Sequence, residues 1–489
     1  MNEFNLMLQP DRVDGLDDAE AIQKLRELID VYCYHAAKNE EKERYYEGNI
    51  PLSEVNLGIA LPKGFKDLDI GCAWGAKTVD VLASRSMFDG FVSGTGDEAE
   101  IMSNIIMSNR LVYEYKKACR DELKFGCTFA TLSKDKKAGC KIRFHSPQSA
   151  AALWNGEKNR IDCGFAIIDS VKDEGDSKYV PSLVNLYTDT DIWILRRNHY
   201  MWTAERKPHI MGRPMMEPLV WNPTSGKPFG QSRLKDSIRK LIQSYVRTIA
   251  NATIGLEFST APQKYLLGIT DEQYDELINK KFKSYIGSLM TATTNPETGQ
   301  NPDFGQLAQG NIQPHVEMMR MIATQFSAAT GLTVTDVGVV NDANPTSSDA
   351  IIAQSQTLIQ YAEDLNQGNA GALYTIAQMA QAIENDCKIE DLNDDQRNII
   401  AHFKNPAMPS VAVTADAAIK IASARQGFGQ TDAFLEMIGF SQADIRRIKA
   451  QERDVRGQLL LQAEFKNLNA DQSTQSTMDN GGENTDGNQ

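Results

Sequence analysis

Residues 67–85 read DLDIGCAWGAKTVDVLASR, and three readings of this stretch lead to three different folds. Gly71-Cys72-Ala73-Trp74-Gly75 is built like the glycine-rich turn that cradles the cofactor in methyltransferases. Gly71 to Thr78 also departs from a phosphate-binding loop, G-x-x-x-x-G-K-T, only at Ala76. In the third reading a turn leads into an ordinary amphipathic helix over 76–85, with Val79, Leu82 and Ala83 facing inward. A phosphate loop needs glycine at position 76, because its backbone wraps the phosphates with no room for a side chain. The strand entering such a loop is buried on both faces and continuously apolar. Here PKGFKDLDI is broken by Lys63, Lys66, Asp67 and Asp69. Acids that could complete a nucleotide site exist: Asp169 for an ATPase, and, for a methyltransferase, Asp69 before the turn with Asp89 twenty residues on, where an acid could bind ribose hydroxyls. However, the run Phe165–Asp169 reads more simply as a meander strand, and no alternating βαβ series follows. The helix is the preferred reading. An enzyme binding a nucleotide or S-adenosylmethionine through Gly71–Thr78 is the alternative.

Outward from this stretch, the chain has the composition of water-soluble material. Its 489 residues are 41% hydrophobic and 24% charged, enough for roughly two to four modules with real cores. The opening MNEFNLMLQPDRVDG has neither a basic nor an apolar leader region, and no run of about 18 apolar residues suggests a membrane span. Seven cysteines (33, 72, 119, 127, 140, 163 and 387) form no C-x-x-C pair, and six histidines form no H-E-x-x-H. That pattern fits a reducing compartment and predicts no disulfide framework, no metal site and no cofactor. The net charge of −14 argues against gripping nucleic acid by its phosphates. It does not exclude surrounding DNA without holding it.

The periodicity predicts a helix over 17–47, with Ile22, Leu25, Leu28, Ile29 and Tyr32 on one face, stopped by Gly48 and Pro51. A helical region follows over 101–127. The period then changes to two in CGFAIIDSV, SLVNLYTDTDIWILRR and HYMWTAE, an antiparallel β-meander. A Pro- and Gly-rich loop over 211–230 precedes a helix over 232–257, with Ser232 as its N-cap. APQKYLLGIT reads as a short strand and NPETGQNPD as a hairpin turn. A second helix, 313–330, ends at Gly331. The longest helical pattern covers 347–386, with a kink or change of face expected at Gly368 and Gly371. Further helices lie within 415–468, and residues 469–489, free of Lys and Arg, read as a disordered acidic tail.

Two regions stand out by charge. Between Arg320 and Lys388 there is no lysine or arginine, while Asp336, Asp342, Asp349, Glu363, Asp364, Glu384 and Asp386 are all present. A neutral helix packed among neighbours explains part of this. Walls that repel phosphate, past which DNA slides without sticking, explain the loop as well. By contrast, the helix 232–257 carries Arg233, Lys235, Arg239, Lys240 and Arg247 against Asp236 and Glu257. This is either a solvated face or an outer surface for an acidic partner or DNA.

The ordered set YYEG (45–48), VDVLASRSMFDGF (79–91), VNLYTDTDIWIL (184–195), PFGQSRL (228–234), APQKYLLG (261–268) and NPTSSDAIIAQSQTL (344–358) resembles the portal, or head-to-tail connector, proteins of tailed double-stranded DNA phages. The resemblance runs to about residue 460. It implies an α+β, mainly helical, elongated multi-domain fold of wing, stem, clip and crown, assembling into a ring, typically of twelve subunits. Carried over by position, it implies a wing over 1–231, stem helices over 232–257 and 312–330, and a clip over 258–311. A tunnel loop over 331–346 follows, then a long kinked helix with return to the wing over 347–410, a helical crown over 411–468, and the tail 469–489. Asp336, Asn341, Asp342 and Asn344 would face DNA in the channel. Arg233, Lys235, Arg239, Lys240 and Arg247 would form the stem surface, contacting the capsid vertex. The implied role is a non-enzymatic conduit in the virion, at the capsid portal vertex and assembled in the host cytoplasm. DNA is packaged through it by a separate terminase motor and later ejected. The implied partners are further copies of the chain, the terminase, major capsid and scaffolding proteins, head-completion or adaptor proteins, and DNA without sequence specificity, with no membrane. A non-viral oligomeric scaffold built on the long helix is a further alternative, though the stripe broken at Gly368 and Gly371 does not suit a sustained coiled coil.

Overall fold

The computed structural model describes residues 8–50, 70–93, 99–135, 139–172, 179–198, 201–260, 311–338 and 348–407, most of 411–462, and scattered residues between 264 and 306. The chain divides into two units, 1–87 with 91–401 and 88–90 with 402–489.

The first unit begins with a two-residue strand, β1 (Val13–Asp14), and a long helix, α1 (Ala19–Glu47). Asp18 caps α1: its carboxylate accepts from the Glu20 N–H at 2.9 Å and the Ala21 N–H at 3.4 Å. An anion there also meets the positive end of the helix dipole. Gly48 closes the helix at φ 80°, a conformation that costs glycine nothing, and donates its N–H to the Arg44 carbonyl. Next come α2 (Trp74–Ala83), β2 (Phe88–Ser93), α3 (Ala99–Ser108) and α4 (Leu111–Phe125). The expected helical region 101–127 is thus two helices. Arg110, at φ 50°, makes the break, and Gly126, at φ 112°, ends α4.

Strands β3 (Cys127–Asp135), β4 (Gly139–His145), β5 (Ala150–Asn155), β6 (Arg160–Lys172), β7 (Tyr179–Tyr187), β8 (Asp191–Asn198), β9 (Met201–Pro208) and β10 (Met216–Val220) follow. Six of the strands form a sheet in the order β1-β9-β8-β7-β6-β5, in which β6 to β9 are the expected antiparallel meander. Alternation puts Cys163, Phe165, Val184, Leu186, Trp193, Leu195 and Trp202 on one face, against Leu25, Leu28 and Ile29 of α1. That contact is the core of the sheet layer. A second sheet, β10-β3-β4, was not anticipated. β3 is buried at six consecutive residues, 127–132, so it lacks the period-two signature. β10 sits inside the stretch read as a loop, pairing Met216 with Thr131 and Val220 with Cys127.

Further elements of this unit are α5 (Asp236–Thr260), β11 (Lys264–Leu267), β12 (Asp303–Gln306), α6 (Gln313–Thr330) and α7 (Ser348–Glu384), and a strand, β13 (Ile399–Phe403), pairs with β2. α5 and α6 pack on each other, and β11 pairs with β12. α6 ends as expected at Gly331, φ 74°. α7 runs without interruption through Gly368 and Gly371. α5 starts four residues later than expected, because Ser232 caps nothing on it. The Ser232 hydroxyl donates to the Lys124 carbonyl at the end of α4 and accepts from the Leu234 N–H.

In the second unit, α8 (Val411–Ala424) and α9 (Asp432–Ile438) pack together, with a further helix over 447–462. Lys404 and His402 approach Asp89 at 3.7 and 3.9 Å. Most of the hairpin expected at NPETGQNPD and the whole of the expected tail 469–489 lie outside the described residues.

Candidate functional site

The stretch 71–78 forms a packing joint. Trp74 stacks on Tyr245 of α5, with ring centroids 4.0 Å apart, and sits 4.6 Å from Phe326 of α6, so it wedges between the two helices. Gly75 is required by α1: a Cβ there would lie 1.9 Å from the Tyr45 carbonyl oxygen. The Thr78 hydroxyl donates to the Trp74 carbonyl at 2.8 Å and is buried, while Lys77 points to solvent. Gly75 and Thr78 are thus occupied by helix packing and an internal hydrogen bond.

The loop after α6 is tied to itself. The Ser327 hydroxyl donates to the Leu332 carbonyl at 2.6 Å. The Asp336 carboxylate accepts from the Thr333 N–H at 3.0 Å and the Thr333 hydroxyl at 2.7 Å, closing a four-residue turn with Val337 buried beneath it. Asp336 therefore shapes the start of this loop. Asn341, Asp342 and Asn344 lie outside the described residues.

α7 has two distinct faces. Leu358, Ala362, Leu365, Asn369, Leu373 and Ile376 are buried. Gln356, Gln360, Glu363, Asp364, Gln367 and Tyr374 are exposed, a polar and acidic stripe with no cation. The middle of the helix is anchored by Asn369, whose amide donates to the Tyr115 hydroxyl at 2.9 Å and to Glu122 Oε2 at 2.8 Å, both on α4. Tyr115 in turn shares a 2.7 Å hydrogen bond with Ser86.

The five cations expected on the stem surface do not act alike. Lys235, Lys240 and Arg247 are exposed, and Lys240 pairs with Asp236 at 2.7 Å. Arg239 is largely covered, between Glu41 at 3.5 Å and Asp236 at 3.6 Å. Arg233 is a correction: it is only 8% exposed, because its N–H is bound by the Leu123 carbonyl and the chain turns its side chain inward before α5 begins. Its Nε donates to the Thr78 carbonyl at 2.9 Å and its Nη2 to the Thr330 carbonyl at 2.7 Å. One side chain thus ties α2, the entry to α5 and the last residue of α6. Charge pattern alone gave no sign of this. Burial brings the Arg233 pKa down to about 10.

Beside this joint a groove of about 750 Å³ is lined by Lys38, Lys42, Lys227, Lys235 and Arg239 over aromatic side chains including Phe129 and Phe229. Lys42 donates to the Phe125 carbonyl at 3.0 Å. Burial, then the neighbouring Lys38 and Lys42, lower the His35 pKa. These cations are dispersed in sequence, which hid the groove from the pattern of any one helix. Among the described residues no cluster of His, Cys, Asp or Glu could hold a metal ion, and no helix is long and apolar enough to cross a membrane.

Comparison with known proteins places this fold in a family. The family described as phage portal protein, SPP1 Gp6-like, matches residues 25–458, and the chain belongs to it. This is a structural family, and its members are portal proteins of phage heads. The portal protein of Mycobacterium phage L5 is 25% identical over 385 residues, covering 76% of each chain. That of Mycobacterium phage D29 is 22% identical over 408 residues, covering 81% of this chain and 82% of the relative. Among solved structures, a chain from the neck of an empty GTA particle computed with C6 symmetry is 11% identical, with a TM-score of 0.45, over 76% of this chain and 90% of that one. One from the neck of the native GTA particle, computed with C12 symmetry, is 12% identical with a TM-score of 0.40, over 75% and 89%.

Proposed function

We propose that twelve copies of this chain close into a ring at one vertex of the phage capsid, and that double-stranded DNA passes through its centre. A terminase motor drives DNA inward during packaging, and the same conduit releases it at ejection. In this reading the ring assembles in the host cytoplasm, where it nucleates the head with the major capsid and scaffolding proteins. It later docks head-completion proteins through residues 258–311. α5 and α6 are the stem, 331–346 the tunnel loop, α7 the helix behind it, and 411–468 the crown. The chain supplies no catalysis; its work is to guide, gate and signal.

The observation that carries this reading is the cation-free run 321–387, together with the exposed Gln, Glu and Asp stripe of α7. Neutral and acidic walls repel phosphate, so a duplex moves without being held. The enzyme alternative loses its support at Gly75 and Thr78, which serve helix packing and an internal hydrogen bond.

Negative-stain electron microscopy of the purified chain, with its mass in solution, tests the proposal. Rings with a central hole wide enough for duplex DNA are expected. A chain that stays monomeric or dimeric at every concentration, even with capsid and scaffolding proteins present, would sink it.

A further inference from the structure

Arg233 stands in the wall of a cavity of about 390 Å³ bounded by α2, the end of β10, the start of α5, the end of α6 and α7. Its guanidinium lies 5.8 Å from the ring centroid of Trp221 and 5.5 Å from that of Tyr361. Nε and Nη2 are spent on the Thr78 and Thr330 carbonyls. Among the described residues Nη1 has no hydrogen-bond partner, and no carboxylate lies within ion-pair distance of the side chain. A buried cation without a counter-ion is costly, and filling its donors alone does not restore the lost charge pairing. Thr330 is the last residue of α6, so the negative end of that helix offsets part of the charge. The remaining amino group is open to the cavity.

The rest of the wall says what kind of anion fits. Lys235 and Ser237 add a second cation and a hydroxyl, while Ile238 and Leu365 add apolar surface. Asp364 lines the α7 side, where it would repel a dianion more strongly than a monoanion. A carboxylate on a short methylene stem matches this mixture better than a phosphate does. The chain itself carries 65 acidic residues against 51 basic ones. We propose that this cavity is a carboxylate site, filled by an aspartate or glutamate side chain from a second copy of this chain that pairs with Nη1 of Arg233. The source of the carboxylate rests on the ring proposed above; the site itself does not.

Arg233 is too deeply built in to be the first residue to replace. Gly368 is a better handle: it lies in the same wall on α7, and a Cβ there would meet only the Val220 carbonyl oxygen, at 3.9 Å. Gly368→Glu and Gly368→Gln, made in the full chain, gain similar helix propensity. The glutamate variant is expected to melt about 2 °C above the glutamine variant in low salt. By occupying the site from within the same chain it should also cut ring yield about tenfold, whereas the glutamine variant assembles like the parent. Equal melting temperatures for the two variants overturn the site. A stabilised glutamate variant that assembles normally overturns the second copy as the source. In that case sodium propionate, against sodium chloride at equal ionic strength, should raise the melting temperature of the parent chain but not of Gly368→Glu, marking a site for a free carboxylate. If the parent forms no rings, the second copy falls with the ring reading, and the melting comparison still decides whether the site exists.

Discussion

Glu122 has no exposed surface, and burial pushes its carboxyl up to about 8, with the hydrogen bond from Asn369 acting in the opposite direction. Its Oε1 and the Asn369 Oδ1 are both buried without a partner among the described residues. A neutral Glu122 brings a proton donor to this neighbourhood of unpartnered acceptors, and an ionised one does not. The titratable groups around it are Tyr115 and Cys119 on α4 and Cys127 on β3, all pushed up by burial, with Arg120 acting against the rise at Cys119 and Lys42 against it at Cys127. The native state holds this proton more tightly than the unfolded chain, where the carboxyl titrates near 4.5. Stability from this group is therefore fully present below about pH 4.5, falls as pH rises towards 8, and levels off above it, with a limiting slope of about 1.4 kcal/mol per unit. Glu122→Gln keeps the shape and supplies a permanent donor. Thermal melts from pH 5 to 9 should show the variant gaining on the parent as pH rises. Parallel curves would mean that Glu122 is ionised throughout. His145 works in the opposite sense: burial lowers its pKa to about 4, so its contribution is lost as pH falls below 6.5. The difference between variant and parent removes that term.

At the scale of the element, α2 depends on its close approach to α1. Gly75→Ala would drive a methyl group into the Tyr45 carbonyl and force the helices apart, at a cost of about 3 kcal/mol. Ala76→Gly restores the phosphate-loop pattern and touches nothing essential, so its cost should stay near 1 kcal/mol. Chemical denaturation of both variants checks the contrast, and nucleotide binding by Ala76→Gly would reopen the enzyme reading. The same contrast explains what could be read beforehand. α1, the meander and α6 declare themselves through period, caps and Gly48 or Gly331. β3 and β10 do not, because a strand buried on both faces loses alternation, and Pro218 within β10 reads as a loop. Asp336 reads as a loop acid, and one oxygen of its carboxylate also accepts from Thr333. Arg233 reads from the charge pattern as part of a basic helix face, but the helix begins three residues later, at Asp236. Joints made by residues distant in sequence, such as Arg233 with Thr330, leave no local pattern.

For the whole molecule, charge is distributed rather than merely negative. The basic groove at Lys38, Lys42 and Arg239 and the cation-free α7 belong to one unit, so each ring would carry bands of opposite sign. In the proposed conduit, Asp342→Lys places a phosphate-binding group in the tunnel loop. Packaging in a reconstituted system should slow several-fold at low salt and recover as salt is raised, since the added attraction is screened. Unchanged packaging at all salt concentrations would remove Asp342 from the path of DNA.

The absence of lysine and arginine from 321–387 also shapes how this protein can be mapped in the laboratory. Trypsin has nowhere to cut between Arg320 and Lys388, so the loop and the whole of α7 leave a digest as a single long peptide. Amine-directed cross-linkers pass over the same stretch in silence. A footprint gathered with those reagents would report α5 and the sheet layer while missing the surface proposed to face DNA. A protease or label directed at carboxylates would find Glu363 and Asp364 exposed on α7, and that reagent can see the helix at all.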